Sequence, residues 1–319
     1  MKITVIGCGR WGSFIAYYLD KVGHDVTIYG LSDAPEMIRF LAERRNDLLT
    51  LSDTTKLSTD KSVVADAETI IISIGSQGLR GLMAELSPLD LKDKNFVLCM
   101  KGIEIATGAR LSEIVKENVD PSCRVAVWLG PGHVQEFYRG VPNCMVIDSD
   151  DDELKISLVK SFSSPLIRFY YGTDLIGSEI GGAAKNVLGI AAGMLDGLGM
   201  TTLKGALMSR GTREIARLMK AMGGNELSAY GLCLLGDYEA TLFSKHSHNR
   251  AFGEAFVKGE SYTALAEGYY TVKAMMTLKE KYSVDLPICT TVYNVLYNGA
   301  EPKFEISGLF SRSLKWELE

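Results

Sequence analysis

The chain reads as an α/β N-terminal domain built on a mostly parallel sheet, followed by an all-α C-terminal domain. Three observations predict this. Short β-branched runs alternate with helical patterns from Lys2 to Tyr171, as a chain of βαβ units requires. After Tyr171 the alternation stops, and helical periodicity continues to the end. The length of 319 residues suits two domains with filled cores. We place these domains at residues 1–176 and 177–319, with the boundary near Asp174 to Ser178.

The first element is Lys2-Ile-Thr-Val-Ile-Gly7, a β-branched run ending in glycine. It leads into Gly7-Cys-Gly9-Arg-Trp-Gly12 and then a helical pattern through Leu19. In a strand–GxGxxG–helix order, Gly7 permits the tight turn and Gly9 lets the backbone approach a pyrophosphate. Gly12 lets helix and strand pack closely, and the helix N-terminus faces the phosphates. A Rossmann-like dinucleotide site is the expectation. The second strand, Asp25-Val-Thr-Ile-Tyr29, ends in Gly30-Leu-Ser-Asp33. An acid at that strand end accepts the ribose hydroxyls of NAD, and an arginine holds the extra phosphate of NADP. Neither rule is met cleanly, so the choice between NAD and NADP stays open. From Ala34 the pattern is helical and charged, ending near Asn46.

Thr69-Ile-Ile-Ile-Ser-Ile74 and Asn95-Phe-Val-Leu-Cys-Met100 are continuous apolar runs, as buried parallel strands are. The first is followed by Gly75-Ser-Gln-Gly78, and the second delivers Lys101-Gly102 to the sheet edge where ligands bind. Arg124-Val-Ala-Val-Trp128 repeats the pattern and runs into Leu129-Gly-Pro-Gly-His133. Segments Asn143 to Ile147 and Ile167 to Tyr171 complete the sheet, and the acidic run Asp148 to Glu153 reads as a loop and helix start.

Glu179 to Leu218 holds one lysine within its first, otherwise uncharged stretch. Read as a helix, it places Gly181, Lys185, Gly189 and Ala192 within about 40° of one line, with Val187, Ile190, Met194 and Leu198 on another face. A lysine on a stripe of tiny side chains has few solvating neighbours and loses affinity for its proton, which suits an acid/base. The alternative is a helix-packing groove from which the lysine snorkels to water. Arg210 and Glu214 are spaced for an i,i+4 pair. Gly236-Asp237-Tyr-Glu-Ala-Thr241 breaks the helices, and Lys245-His-Ser-His-Asn-Arg250 precedes a helical pattern from Phe252 to Val257. Polar donors before a helix N-terminus suit a phosphate.

The composition, 46% hydrophobic and 23% charged, is that of an ordinary globular protein. A net charge of −5 leaves no basic field for nucleic acid, so an anionic ligand must be held by local cations. Six cysteines occur singly, with no CxxC pair and no His/Cys cluster at metal-ligand spacing. Neither a disulfide framework nor a metal site is suggested. The N-terminus enters a strand at once, and no apolar run reaches ~18 residues. We expect a soluble, unexported, cytoplasmic protein with no membrane span.

In these residues the chain resembles the bacterial-type NAD(P)-dependent glycerol-3-phosphate dehydrogenases. The specific parts are GCGRWG at 7–12, Lys101-Gly102, Gly130-Pro131, Gly181-Gly-Ala-Ala-Lys-Asn186 through Asp196-Gly-Leu-Gly199, and Ser209-Arg-Gly211. Gly236-Asp237 with Thr241, Asn249-Arg250, Glu267-Gly268 and Asp285-Leu-Pro-Ile288 follow in order. The resemblance implies a Rossmann-like domain, a helical domain, and an active site in the cleft between them. It implies hydride transfer between NAD(P)H and dihydroxyacetone phosphate, giving sn-glycerol 3-phosphate for glycerophospholipids, by a homodimer. On that likeness Lys185 is the acid/base, Lys101 a second lysine at the substrate, and Asp237 the group that orients the ammonium. The substrate side takes in Gly130, Gly132, Asn186, Thr241, Ser247, His248 and Asn249. The cofactor side takes in Gly7, Gly9, Arg10, Trp11, Gly12, Leu31, Ser32, Lys101, Val134, His248, Arg250, Leu265 and Glu267.

Three departures stand out from the family pattern. Ser-Arg-Asn-Arg is replaced by Ser247-His-Asn-Arg250, Gly-Pro-Ser-Phe-Ala by Gly130-Pro-Gly-His-Val134, and the arginine after the second strand by Leu31. His133 and Glu136, three apart, are spaced to imitate a His/Glu acid–base pair. A dehydrogenase for another small phosphorylated or acidic hydroxy substrate is one alternative. A cofactor-binding regulatory protein without turnover is another, and it would need Lys185 or Asp237 to be missing.

Overall fold

A computed structural model describes residues 1–314 together with Trp316 and Glu317. Eight strands form one sheet: β1 (Lys2–Ile6), β2 (Asp25–Tyr29), β3 (Lys56–Ser58), β4 (Thr69–Ile72), β5 (Asn95–Leu98), β6 (Arg124–Leu129), β7 (Asn143–Asp148) and β8 (Ile167–Tyr171). Their order is β3-β2-β1-β4-β5-β6-β7-β8, and every neighbouring pair is parallel except β6 with β7. The side on which successive strands are added switches at β1, which pairs on one side with β2 and on the other with β4. At such a switch point the strand carboxyl ends open a crevice for ligands. The helices of this half are α1 (Arg10–Val22), α2 (Pro35–Glu43), α3 (Leu79–Leu86), α4 (Leu111–Asn118), α5 (Val134–Tyr138) and α6 (Asp152–Phe162).

Both faces of the sheet are covered, which is why its strands read as unbroken apolar runs. Ile3, Val5, Ile28, Ile71 and Val97 pack with Phe14 and Leu19 of α1 and with Trp128. Ile6, Ile70, Ile72, Phe96 and Leu98 pack on the other face with Leu79 and Met83 of α3 and Ile114 of α4. The acidic run does become a helix start, since Asp151 caps α6 by accepting from the Leu154 amide at 2.8 Å.

The second half is helical: α7 (Leu175–Gly197), α8 (Lys204–Ala221), α9 (His248–Lys258), α10 (Glu267–Tyr282), α11 (Pro287–Tyr297) and α12 (Pro302–Phe310). Glu179 to Leu218 is therefore not one helix. α7 ends in a Schellman motif, with the amides of Gly199 and Met200 donating to the carbonyls of Asp196 at 3.1 Å and Leu195 at 2.8 Å. The motif needs a left-handed residue, and Gly199 supplies it at φ +74°. Nor do Arg210 and Glu214 form the pair their spacing allows. Glu214 turns inward and accepts from the amides of Ile288 (2.8 Å) and Cys289 (2.9 Å), capping α11. Among the described residues no helix is long and apolar enough to cross a membrane.

The small residues of α7 are explained by α9. A Cβ at Gly193 would overlap the Arg250 carbonyl, and one at Gly253 would overlap that of Ile190. Each helix gives up side chains where the other's backbone passes. Lys185, 6% exposed, does not snorkel from this packing.

Candidate active site

α7 packs against the end of β6 and carries Lys185 to the junction of the two halves. Its Nζ lies 2.5 Å from Asp237 Oδ2 and donates to Thr241 Oγ1 at 2.9 Å. Burial pulls the ammonium down to about 8, against the pull of Asp237 and with the repulsion of Lys101. Lys101, delivered by β5, donates to the Gly130 carbonyl at 2.7 Å and to Asp237 Oδ2 at 2.9 Å. One carboxylate, 1% exposed, thus holds two ammonium groups. Asp237 and Thr241 reach it because the chain breaks its α-helical run there, with a 3-10 turn over Leu235–Asp237 and a π turn over Glu239–Phe243.

One contact ties the halves together at this center, and two more brace it from the helical half. Asn186 Nδ2 donates to the Lys101 carbonyl at 3.0 Å, Asn249 Nδ2 donates to Asn186 Oδ1 at 3.0 Å, and the Gly268 amide donates to Asn249 Oδ1 at 2.8 Å. Glu267, at the start of α10, accepts from the Ser76 hydroxyl at 2.8 Å and the Ser76 amide at 3.3 Å. Burial pushes its carboxyl up, while the Ser76 contacts oppose that shift. Arg10 Nη1 meets His248 Nε2 at 2.7 Å across the mouth of the cleft.

The glycine loop fits a dinucleotide. Gly7 sits at φ +105°, and a Cβ at Gly12 would overlap the Gly7 carbonyl, so the strand, turn and helix can close only with glycine at both positions. A Cβ at Gly9 would meet open space. Gly9 also caps α1 without a side-chain acceptor, which leaves the first-turn amides for a pyrophosphate. Past β2, Leu31 is 57% exposed, and Ser32 and Asp33 are exposed beside it.

Residues 2–155 match the family model for the NAD-dependent glycerol-3-phosphate dehydrogenase N-terminus, and residues 174–307 match that for its C-terminus. The chain belongs to the NAD-dependent glycerol-3-phosphate dehydrogenase family. A glycerol-3-phosphate dehydrogenase [NAD(P)+] of Prosthecochloris aestuarii is 36% identical, with 100% of both chains covered. That of Bacillus mycoides is 34% identical, over 100% of this chain and 98% of the other. The crystal structure of glycerol-3-phosphate dehydrogenase from Coxiella burnetii superposes with a TM-score of 0.90 at 26% identity, covering 97% of this chain and 98% of that one.

In this family member Lys101, Gly130, Lys185, Asp237 and Thr241 are gathered at one point. Asn186 and Asn249 stand beside it, the Asn186 amide engaged in the link between halves and the Asn249 amide holding Asn186. His248 has both ring nitrogens occupied, by Arg10 and, at 2.6 Å, by the Tyr262 hydroxyl. Ser247 caps α9 by accepting from the Arg250 amide at 3.2 Å. Arg250 itself is held by Asp196 at 2.8 Å and Glu254 at 3.0 Å. Trp11 packs on Phe14 and Phe137, Val134 is buried at the start of α5, and Leu265 is exposed. Gly132, at φ +142°, has the Phe137 ring against it. The side chains of His133 and Glu136 share no hydrogen bond, and the Glu136 amide instead donates to the His133 carbonyl at 3.0 Å in the first turn of α5. Ser76, Asp196 and Tyr262 were not foreseen as site residues. Asp196 lies within Asp196-Gly-Leu-Gly199 and Ser76 within Gly75-Ser-Gln-Gly78, but nothing local marks Ser76 or Tyr262 as partners of Glu267 and His248.

Proposed function

We propose that this cleft carries out reversible hydride transfer between NAD(P)H and dihydroxyacetone phosphate, giving sn-glycerol 3-phosphate. The protein is an NAD(P)-dependent oxidoreductase acting on glycerol 3-phosphate, as its family membership establishes. The observation that carries the mechanism is the pair of lysines on Asp237. When bound, the nicotinamide supplies the hydride. As the ketone carbon is reduced its oxygen becomes alkoxide-like, and Lys101 and Lys185 lie where two positive charges can stabilise it. Lys185 Nζ then gives that oxygen a proton, and Asp237 holds the amine in place for the reverse reaction. A lysine drawn down to about 8 exists in both forms near neutral pH, which reversible chemistry needs.

We also propose weak discrimination between NADH and NADPH, supported by Leu31 and Ser32 occupying the turn after β2, where an acid or an arginine would decide between them. We also propose a cytoplasmic homodimer, and six free cysteines suit a reducing compartment. Dihydroxyacetone phosphate and unphosphorylated dihydroxyacetone, each assayed for NADH and NADPH oxidation, test the reading. Preference for the phosphorylated ketone with both cofactors supports it. Turnover confined to an unphosphorylated hydroxy acid or ketone would replace it.

A further inference from the structure

His133 stands on the loop that leaves β6, one residue past Gly132 and at the N-cap of α5. Its Nε2 is buried without a hydrogen-bond partner, an arrangement that costs free energy unless a ligand completes it. The ring meets that of His246 edge-on, with centroids 5.5 Å apart. His246 belongs to the segment entering α9, so the two imidazoles face each other from opposite halves of the protein. His133 stands three residues past Gly130, whose carbonyl accepts from Lys101 Nζ at 2.7 Å, so it shares the cleft of the two lysines.

Lys245, next to His246, is exposed, and the more buried cations of the cleft are already engaged. Lys101 and Lys185 are both on Asp237. Arg250 is spread over Asp196, Glu254 and the Ser244 carbonyl. Lys204 is held by Asp196 and the Leu242 carbonyl. His248 is fixed between Arg10 and Tyr262. Gly132 has no side chain to offer, and the Phe137 ring leaves no room for one. A substrate dianion entering beside the two lysines therefore meets one inward donor without a partner, on His133, with His246 alongside.

We propose that His133 Nε2 hydrogen-bonds the phosphate end of the substrate and sets the preference for a phosphorylated over an unphosphorylated ketone. This rests on the ketone-reductase reading of the cleft and adds to it the residue that selects the anion. An N–H at Nε2 can donate to phosphate from the neutral ring or from the imidazolium, and contact with the dianion favours the latter.

The test compares wild type with His133→Phe, which keeps an aromatic ring in the packing and removes the donor. His133→Gln, which returns an N–H near the Nε2 position, is the rescue. KM and kcat are measured for dihydroxyacetone phosphate and for dihydroxyacetone, with NADH binding followed by fluorescence. In His133→Phe, KM for the phosphorylated ketone should rise roughly 10- to 100-fold, as loss of a hydrogen bond to a charged group implies, with the loss falling on KM more than on kcat. The kcat/KM for dihydroxyacetone should move by less than about threefold, so the discrimination ratio collapses. His133→Gln should recover part of it.

A Phe variant that binds NADH and keeps the wild-type ratio overturns the assignment, as does an equal loss on both ketones. If the Phe variant fails to bind NADH, His133→Asn, with its amide near Nδ1 and nothing at Nε2, is read by the same criteria. A wild-type protein that reduces neither ketone overturns the reading of the cleft, and this assignment with it.

Discussion

An ammonium moved out of water holds its proton less tightly, and a neighbouring carboxylate can restore only part of the loss. Lys185 is in that position, buried on α7 with Asp237 against it and Lys101 nearby. Its stripe of small neighbours and single charge were legible in the sequence. Asp237 as its partner was legible only through the family likeness, because it stands 52 positions on, past the rest of α7 and all of α8, and no local pattern connects the two. Replacing Lys185 with methionine should leave NADH binding nearly intact and lower kcat by roughly 10²- to 10⁴-fold. Titration of the variant with NADH and a steady-state assay check both halves, and retention of more than about a tenth of wild-type kcat contradicts the assignment.

At the scale of elements, long apolar runs made β1, β2, β4, β5 and β6 readable, whereas β3 is a three-residue edge strand with no periodicity to find. The reversal of β7 against β6 depends on how the α5 connection folds back, which no strand's own composition records. The break between α7 and α8 was hidden because glycine occurs throughout that run, and only the φ of Gly199 singles it out. The α7–α9 contact gives a direct test. Gly193→Ala forces a methyl into the Arg250 carbonyl and should cost on the order of 1–3 kcal/mol of stability, measured by urea denaturation. Stability equal to wild type would show that the helices can separate freely.

Glu214 makes a second prediction at this scale. Burial raises its carboxyl to about 7, even though two α11 amides favour the charged form. The folded protein therefore keeps a proton that the unfolded chain has released above the usual carboxylate range. The stability this contributes is fully present below the unfolded pKa and is lost as pH rises through about 7. Glu214→Gln removes the titration, so wild type should lose stability relative to this variant between about pH 5 and 7.5. Parallel urea midpoints across that range would contradict it.

On the scale of the whole molecule, the cleft exists because the halves are joined beside it, through Asn186 and the Lys101 carbonyl, Ser76 and Glu267, and Arg10 and His248. The sheet, the glycine loop and the helical half were legible from periodicity and motif order. The joints were not, since each links residues remote in sequence through one or two hydrogen bonds. Cofactor choice belongs to this scale too, as it is set where β2 leaves the sheet. Leu31→Arg adds a charge-assisted contact for a 2′-phosphate and should shift preference toward NADPH. Competitive binding of both cofactors to wild type and variant reads the shift, and none would mean that position 31 does not face the ribose. The central claim is that Lys185 gives the proton to the substrate oxygen. It is tested most directly by the single-turnover rate of NADH oxidation with dihydroxyacetone phosphate across pH. The protonated amine is the donor, so the rate should be level in acid and fall as pH rises through about 8, while the reverse oxidation of glycerol 3-phosphate rises over the same range. A reductive rate that stays level through about pH 9.5 would contradict it.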